Sequence, residues 1–193
     1  MTETRAMPTV LIVPGLRDHV AEHWQTHLAA AIPGARTVQP MGRANLDCTA
    51  RVDALERELA QIEPPVVLVA HSGGVITVVH WALRHRRPIH GALLATPADL
   101  EQPLPEGYPT TEALAAAGWL PVPRGRLPFP SIVAASRNDP LCGFTRAVRY
   151  STGWGSRFVD LGNVGHLNPA SGYGVWARAE SLIAELTYAS AAA

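Results

Sequence analysis

Residues Val66 to Gly74 read Val-Val-Leu-Val-Ala-His-Ser-Gly-Gly, and a helix pattern follows at once. A short apolar run that ends in turn residues reads as a buried strand. Ala70-His71-Ser72-Gly73-Gly74 then fits the pattern G-x-S-x-G, with Ala at the first glycine position. In such a strand–turn–helix the serine backbone is strained and its hydroxyl stands above the sheet edge. Its neighbours must be small because strand and helix pass very close there. The helix that follows aims its amide dipoles at the serine.

A serine in this setting needs partners, and this arrangement takes them in the order serine, acid, histidine. Asp139 lies in Ser136-Arg137-Asn138-Asp139-Pro140, just after the apolar run Ser131 to Ala135. His166 lies in Gly162-Asn163-Val164-Gly165-His166, just after the strand-like Arg157 to Leu161. Both fall where strands end and loops begin, which is where ligands bind in open α/β sheets. Ser72 is therefore the candidate nucleophile, and His166 the base that takes its proton. Asp139 is the candidate carboxylate that holds the imidazole in one tautomer. Asn138-Asp139-Pro140 is also ordinary turn chemistry, and Asp160 or Asp99 competes for the acid's role. The oxyanion of an acyl-transfer reaction needs two backbone N–H groups. Gly73, next after the nucleophile, is one candidate donor. Leu16, in the loop Pro14-Gly15-Leu16 after an early strand, is the other. A flat rate between about pH 5 and 8 would count against His166 as the base.

The remaining elements alternate. Strands are expected at Thr9 to Val13, Arg36 to Gln39, Val66 to Val69, Ile89 to Ala95, Ile132 to Ala135 and Arg157 to Leu161. Helices are expected at Asp18 to Ile32, Thr49 to Ile62, Gly74 to Arg86, Phe144 to Ser151 and Tyr173 to Tyr188. Short strands that are apolar on both faces argue for a parallel sheet covered by helices on each side. Pro97 to Pro130 breaks the alternation with many prolines and one short helix around Thr111 to Ala117. It reads as an excursion over the sheet edge, a candidate lid. No internal repeat or second core divides residues 1–193, which read as a single domain with a frayed tail from Ala189 to Ala193.

Bulk properties exclude several classes. The 193 residues carry 16 basic and 16 acidic side chains, so no basic stripe points to nucleic acid and no polybasic cluster points to an anionic membrane. Val66 to Leu83 approaches the length of a membrane span, but His71, Ser72, Gly73, Gly74 and His80 interrupt it. Two cysteines, Cys48 and Cys142, make no disulfide framework. Met1 to Met7 lacks a signal-peptide layout, so the cytoplasm is the expected compartment.

His19, His23 and His27 recur every four residues, a spacing that can bind a metal. No acidic or cysteine cluster accompanies them, so no metal and no cofactor is expected. His71 reads as a packed, hydrogen-bonded residue, and Cys142 as a small apolar filler. Trp24, Trp119 and Trp176 are candidates for the substrate pocket, with core packing the preferred alternative for each.

Taken together these motifs carry a resemblance. Pro14-Gly15, His23-Trp24-Gln25, Ala70-His71-Ser72, Gly91-Ala92-Leu93-Leu94 and Pro128-Phe129-Pro130-Ser131 occur in one order. Ala135-Ser136-Arg137-Asn138-Asp139-Pro140, Gly153-Trp154-Gly155-Ser156 and Gly165-His166-Leu167-Asn168 complete the set. From about Val10 to Ile183 the chain resembles the small serine hydrolases of the α/β-hydrolase superfamily related to retinoblastoma-binding protein 9, especially the bacterial members. The resemblance implies a compact α/β-hydrolase fold, a mostly parallel sheet flanked by helices on both faces, and a minimal cap. It implies catalytic Ser72, Asp139 and His166 and hydrolysis of carboxylic esters or related acyl bonds. Two departures stand out. His19 occupies a position usually held by serine, which predicts an altered pocket mouth. Gly73 stands where a bulkier residue is common, which predicts a looser elbow.

The expected function is thus a serine hydrolase acting on small acyl esters through an acyl-enzyme on Ser72, with a small-molecule ester as its partner. Gly15, His19, Trp24, Leu141 and Leu167 are the expected pocket residues. An amidase or acyltransferase on the same three residues is the alternative within enzymes. A binding protein that retains the fold without turnover is the alternative outside them.

Overall fold

The computed structural model describes residues 7–17 and 20–189. The expected strained turn is present, and the sheet is built outward from it. β1 (Thr9–Val13), β2 (Arg36–Thr37), β3 (Val66–His71), β4 (Gly91–Ala95), β5 (Ser131–Ala135) and β6 (Arg157–Asp160) form one sheet in the order β2-β1-β3-β4-β5-β6. Every neighbouring pair is parallel. The order reverses between β1 and β3, so the C-terminal ends of these two strands flank the crevice that such a switch point opens.

Side-chain alternation divides the strands between two cores. Leu11, Val13, Leu68, Ala70, Leu94 and Val133 face one side. There they meet α2 (Cys48–Leu59), α3 (Gly73–Arg84) and α5 (Phe144–Trp154). Val10, Ile12, Val67, Val69, Leu93 and Ile132 face the other. There they meet α1 (Trp24–Ala31) and α6 (Arg178–Ala189). No described helix is long and apolar enough to cross a membrane. Cys48 and Cys142 are both buried and free, and burial pushes the Cys48 thiol up to about 11.

Several boundaries differ from the sequence reading, each for a local reason. α1 begins at Trp24 because the His23 ring accepts from the Gln25 N–H and caps the helix there. Of the earlier residues in that expected helix, Asp18 and His19 lie outside the described residues. β3 runs on to His71, which pairs with Ala95 of β4. α5 continues to Trp154, where Gly155 takes a left-handed φ of 68° and ends it. α6 starts late because Asn168 caps a short 3₁₀ turn at Pro169–Ser171 first, and Gly172 closes it with a φ of 82°. Of the tail expected to fray, residues 190–193 lie outside the described residues.

The excursion 97–130 is anchored along most of its length. α4 (Thr111–Ala116) buries Leu114 completely, and Trp119, Val122 and Leu127 join the core on the α2–α3–α5 side. The Trp119 indole N–H donates to the Leu46 carbonyl at 2.7 Å, and the Trp154 indole N–H to Pro123 at 2.8 Å. Burying aromatic side chains of this size stabilises by several kcal/mol. The segment is therefore a packed layer, and it reaches the cavity described below through Ala98, Leu100, Leu104 and the stretch from Gly107 to Pro109.

Candidate active site

The turn at the end of β3 gives Ser72 a φ of 58° and a ψ of −126°. A non-glycine residue rarely adopts this conformation, and holding it costs on the order of 1–3 kcal/mol. The surroundings enforce it. A Cβ at Gly74 would lie 2.4 Å from the Val13 carbonyl oxygen and 2.5 Å from that of Pro14, so only glycine lets α3 pass β1 so closely. A Cβ at Gly73 would lie 2.5 Å from Leu16 Cγ. The elbow expected to be loose is instead filled by the Leu16 side chain.

Ser72 Oγ lies 2.8 Å from His166 Nε2, and His166 Nδ1 lies 2.9 Å from both oxygens of Asp139. A carboxylate only accepts, so Nδ1 carries the hydrogen and Nε2 is left to accept from the serine hydroxyl. The Asp139 side chain is 2% exposed and that of His166 5%. The two loops that carry them are sewn together. Gly165 N–H donates to Asn138 Oδ1 at 2.7 Å, and Val164 N–H to Ser136 Oγ at 3.1 Å. The Leu141 N–H donates to Asp139 Oδ1 at 2.8 Å and fixes the carboxylate from behind.

The competing acids are engaged elsewhere. Asp160 holds the Arg137 guanidinium and accepts from the Gly162 N–H. Asp99 pairs with Arg146 Nε at 2.8 Å and accepts from the Tyr150 hydroxyl.

His71 is buried, and its Nε2–H donates to the His166 backbone carbonyl at 2.9 Å. Its ring packs against those of His23 and His166, with centroids 4.7 and 4.8 Å away. Burial above all, then the charges that His166 and His23 carry when protonated, hold His71 well below the ordinary imidazole range. It therefore stays a neutral donor. Thr96, with a φ of 39°, turns its hydroxyl toward the same carbonyl.

The Leu16 and Gly73 amide N–H groups donate to no other group among the described residues. Both residues belong to the wall that contains Ser72, so they are free to serve a developing oxyanion. The Leu16 loop is held by two residues that sequence reasoning missed. Arg51 of α2 is buried and donates to the carbonyls of Leu16, Gly42 and Asn45 at 3.1, 2.8 and 2.7 Å. Gln25 of α1 donates from Nε2 to Val13 at 3.2 Å and to Val69 at 3.0 Å, tying β1 to β3 where the crevice opens. A signal for Arg51 existed: it stands four residues before Leu55 on the buried stripe of its helix.

A cavity of about 910 Å³ includes Ser72, Gly73, His71 and His166 in its wall. Gly15 and Leu141 line it as expected. Trp24 and Leu167 do not, which corrects the sequence expectation. Trp24 is 1% exposed and Leu167 fully buried, both in the core between the sheet and α6. Trp24 faces inward because α1 is rotated to stack it edge-on against Trp176, with centroids 4.9 Å apart. Leu167 turns under the loop with a φ of 50°. Trp119 likewise belongs to the core. His19 lies outside the described residues. Among the described residues no group of three or more metal-ligating side chains gathers.

Known proteins share this framework. A protein described as a YdeN-like hydrolase, from Pectobacterium atrosepticum, is 31% identical with a TM-score of 0.77, over 94% of this chain and 93% of its own. The ydeN gene product of B. subtilis is 16% identical with a TM-score of 0.73, over 93% and 98%. Est1E of Butyrivibrio proteoclasticus, bound to ferulic acid, is 13% identical with a TM-score of 0.70, over 99% and 92%, a likeness of fold. Comparison with curated proteins gives no match. The serine hydrolase family model matches residues 10–185, and the chain belongs to that family, on an α/β-hydrolase fold.

Proposed function

We propose that the protein is a carboxylesterase that works through an acyl-enzyme on Ser72. The observation that carries this reading is the unbroken line from Ser72 Oγ through His166 to Asp139 at the wall of a mostly apolar cavity. Ser72 Oγ attacks the ester carbonyl carbon while His166 Nε2 takes its proton. The Leu16 and Gly73 N–H groups receive the oxyanion. His166 then gives its proton to the departing alkoxide, and the alcohol leaves. Water attacks the acyl-enzyme with His166 again as base, and the acid departs as Ser72 recovers its proton.

The cavity also bears on substrate size. About 910 Å³ is near the upper end of pockets that enclose drug-sized ligands. A short acyl group would leave most of it empty, so the favoured substrate is an ester with a larger apolar body than the sequence suggested. Est1E, whose structure holds ferulic acid, supports an acid of that bulk.

Intact-mass labelling with a fluorophosphonate probe tests the nucleophile, and a panel of p-nitrophenyl esters tests the reaction. One label per chain on the wild type and none on Ser72→Ala, with turnover of the longer esters, is the expected result. Well-folded wild-type protein that takes no label would overturn the reading and favour a binding protein.

A further inference from the structure

Among the described residues the cavity wall carries formal charge of one sign. Among its described residues there is no carboxylate, whereas Arg17 and Arg43 both reach it. Arg43 has a partner of its own. Arg17 is placed differently. Its side chain is exposed, and its guanidinium carbon sits 4.2 Å from the centroid of the Tyr108 ring. No hydrogen bond or ion pair among the described residues engages its N–H groups.

A guanidinium seated on an aromatic face is held in orientation while the donors around its edge stay available. Those donors match a carboxylate or a phosphate in bidentate fashion. Arg17 also directly follows Leu16, whose N–H is the candidate oxyanion donor, so their Cα atoms are about 3.8 Å apart. An anion on Arg17 would therefore lie within one substrate's length of the scissile carbonyl. Leu16, Leu100, Leu104 and Leu141 give the same cavity an apolar wall.

We propose that Arg17, on its Tyr108 platform, is an anion subsite, and that the substrate is an ester with an apolar chain ending in a carboxylate or another anionic group. The inference rests on the esterase reading and adds the substrate class. It explains why a large, apolar cavity keeps at its wall a cation that no described residue pairs, where a purely apolar ester would gain nothing from it.

The test compares p-nitrophenyl hemiesters of succinic, adipic, suberic and sebacic acids with their methyl-capped neutral counterparts. The readout is the ratio of kcat/KM, anionic over neutral, within each protein variant, so that general damage cancels. Wild type should favour the hemiester by about tenfold or more at one or more chain lengths. Added salt should shrink the preference. Arg17→Gln should bring the ratio close to one, and Tyr108→Leu should lower it. Arg17→Glu should instead favour an ester with a trimethylammonium tail. Turnover of the neutral esters with no hemiester preference at any length would overturn this inference and leave the esterase reading standing. So would a preference that survives Arg17→Gln. No turnover of any ester by protein that still takes the fluorophosphonate would overturn the esterase reading, and this one with it.

Discussion

His71 holds His166 by its backbone. The Nε2–H of His71 donates to the His166 carbonyl at 2.9 Å, while the ring of His166 spans Ser72 and Asp139. The residue beside the nucleophile in sequence thus anchors the loop that carries the base, 95 residues away. Because carbonyl oxygen only accepts, the bond needs a hydrogen on Nε2, and since burial keeps His71 neutral its ring is the Nε2–H tautomer.

Breaking that anchor should misplace the base without removing it. His71→Ala is expected to lower kcat by roughly ten- to a hundredfold, the cost of an ångström-scale misalignment, with less change in KM. His71→Gln, whose amide can donate to the same carbonyl, should recover part of the loss. Steady-state kinetics on both variants checks this. A His71→Ala enzyme with wild-type kcat would show that the loop holds itself.

Acid should destabilise the fold through its buried histidines. His71 and His80 are both buried and both held below the ordinary imidazole value, His80 chiefly by burial despite its bond to the Trp119 carbonyl. In each case the unfolded chain binds a proton more readily than the folded one, so stability rises with pH. Their contribution is complete above the unfolded value of about 6.5 and is lost as pH falls from there toward the folded value. Each adds at most about 1.4 kcal/mol per pH unit to the slope. Urea unfolding at pH 7.5 and about 5 should show wild type losing more stability than His80→Gln.

The nucleophile was legible because its neighbours are constrained locally: strand, small residues and helix are contiguous around Ser72. The acid was less so. Asp139 and Asp99 follow strands and Asp160 ends one, and only the tertiary pairing of Asp160 with Arg137 and of Asp99 with Arg146 separates them. Trp24 and Leu167 show a different limit. Periodicity finds the apolar face of a helix but not whether that face meets a core or a cavity, and Trp24 meets the core. Gln25 and Thr96 act on backbone atoms far away in sequence, to which local pattern is blind.

Substitution of the three acids should separate their roles. Asp139→Asn should lower kcat by on the order of 10⁴, the loss seen when the corresponding aspartate of a serine protease is changed, because the amide favours the wrong imidazole tautomer. Asp160→Asn breaks only an exposed pair with Arg137 and should change the rate by less than about threefold. Asp99→Asn should act on stability, since it leaves Arg146 without its nearest carboxylate beneath the excursion. Turnover and melting temperature measured together would sort them. A rate loss in Asp160→Asn as large as in Asp139→Asn would undo the assignment.

Leu16 and Gly73 should behave as one unit. The Leu16 side chain occupies the space beside Gly73, so a Cβ placed there would sit 2.5 Å from Leu16 Cγ. Cγ is the branch point, not a flexible tip, so relief requires the whole Leu16 side chain to change rotamer or its backbone to move. That backbone carries a candidate oxyanion donor and is itself gripped by Arg51. Gly73→Ala should therefore reduce kcat by tenfold or more, approaching the roughly 100- to 1000-fold cost of losing one donor. Leu16→Ala keeps the N–H and removes the obstruction. The double variant should then be faster than Gly73→Ala alone, with a coupling of about 1 kcal/mol or more in a double-mutant cycle. Additive losses would mean that the side chain merely fills space. A positive coupling would mean that packing at this contact sets where the oxyanion donor points.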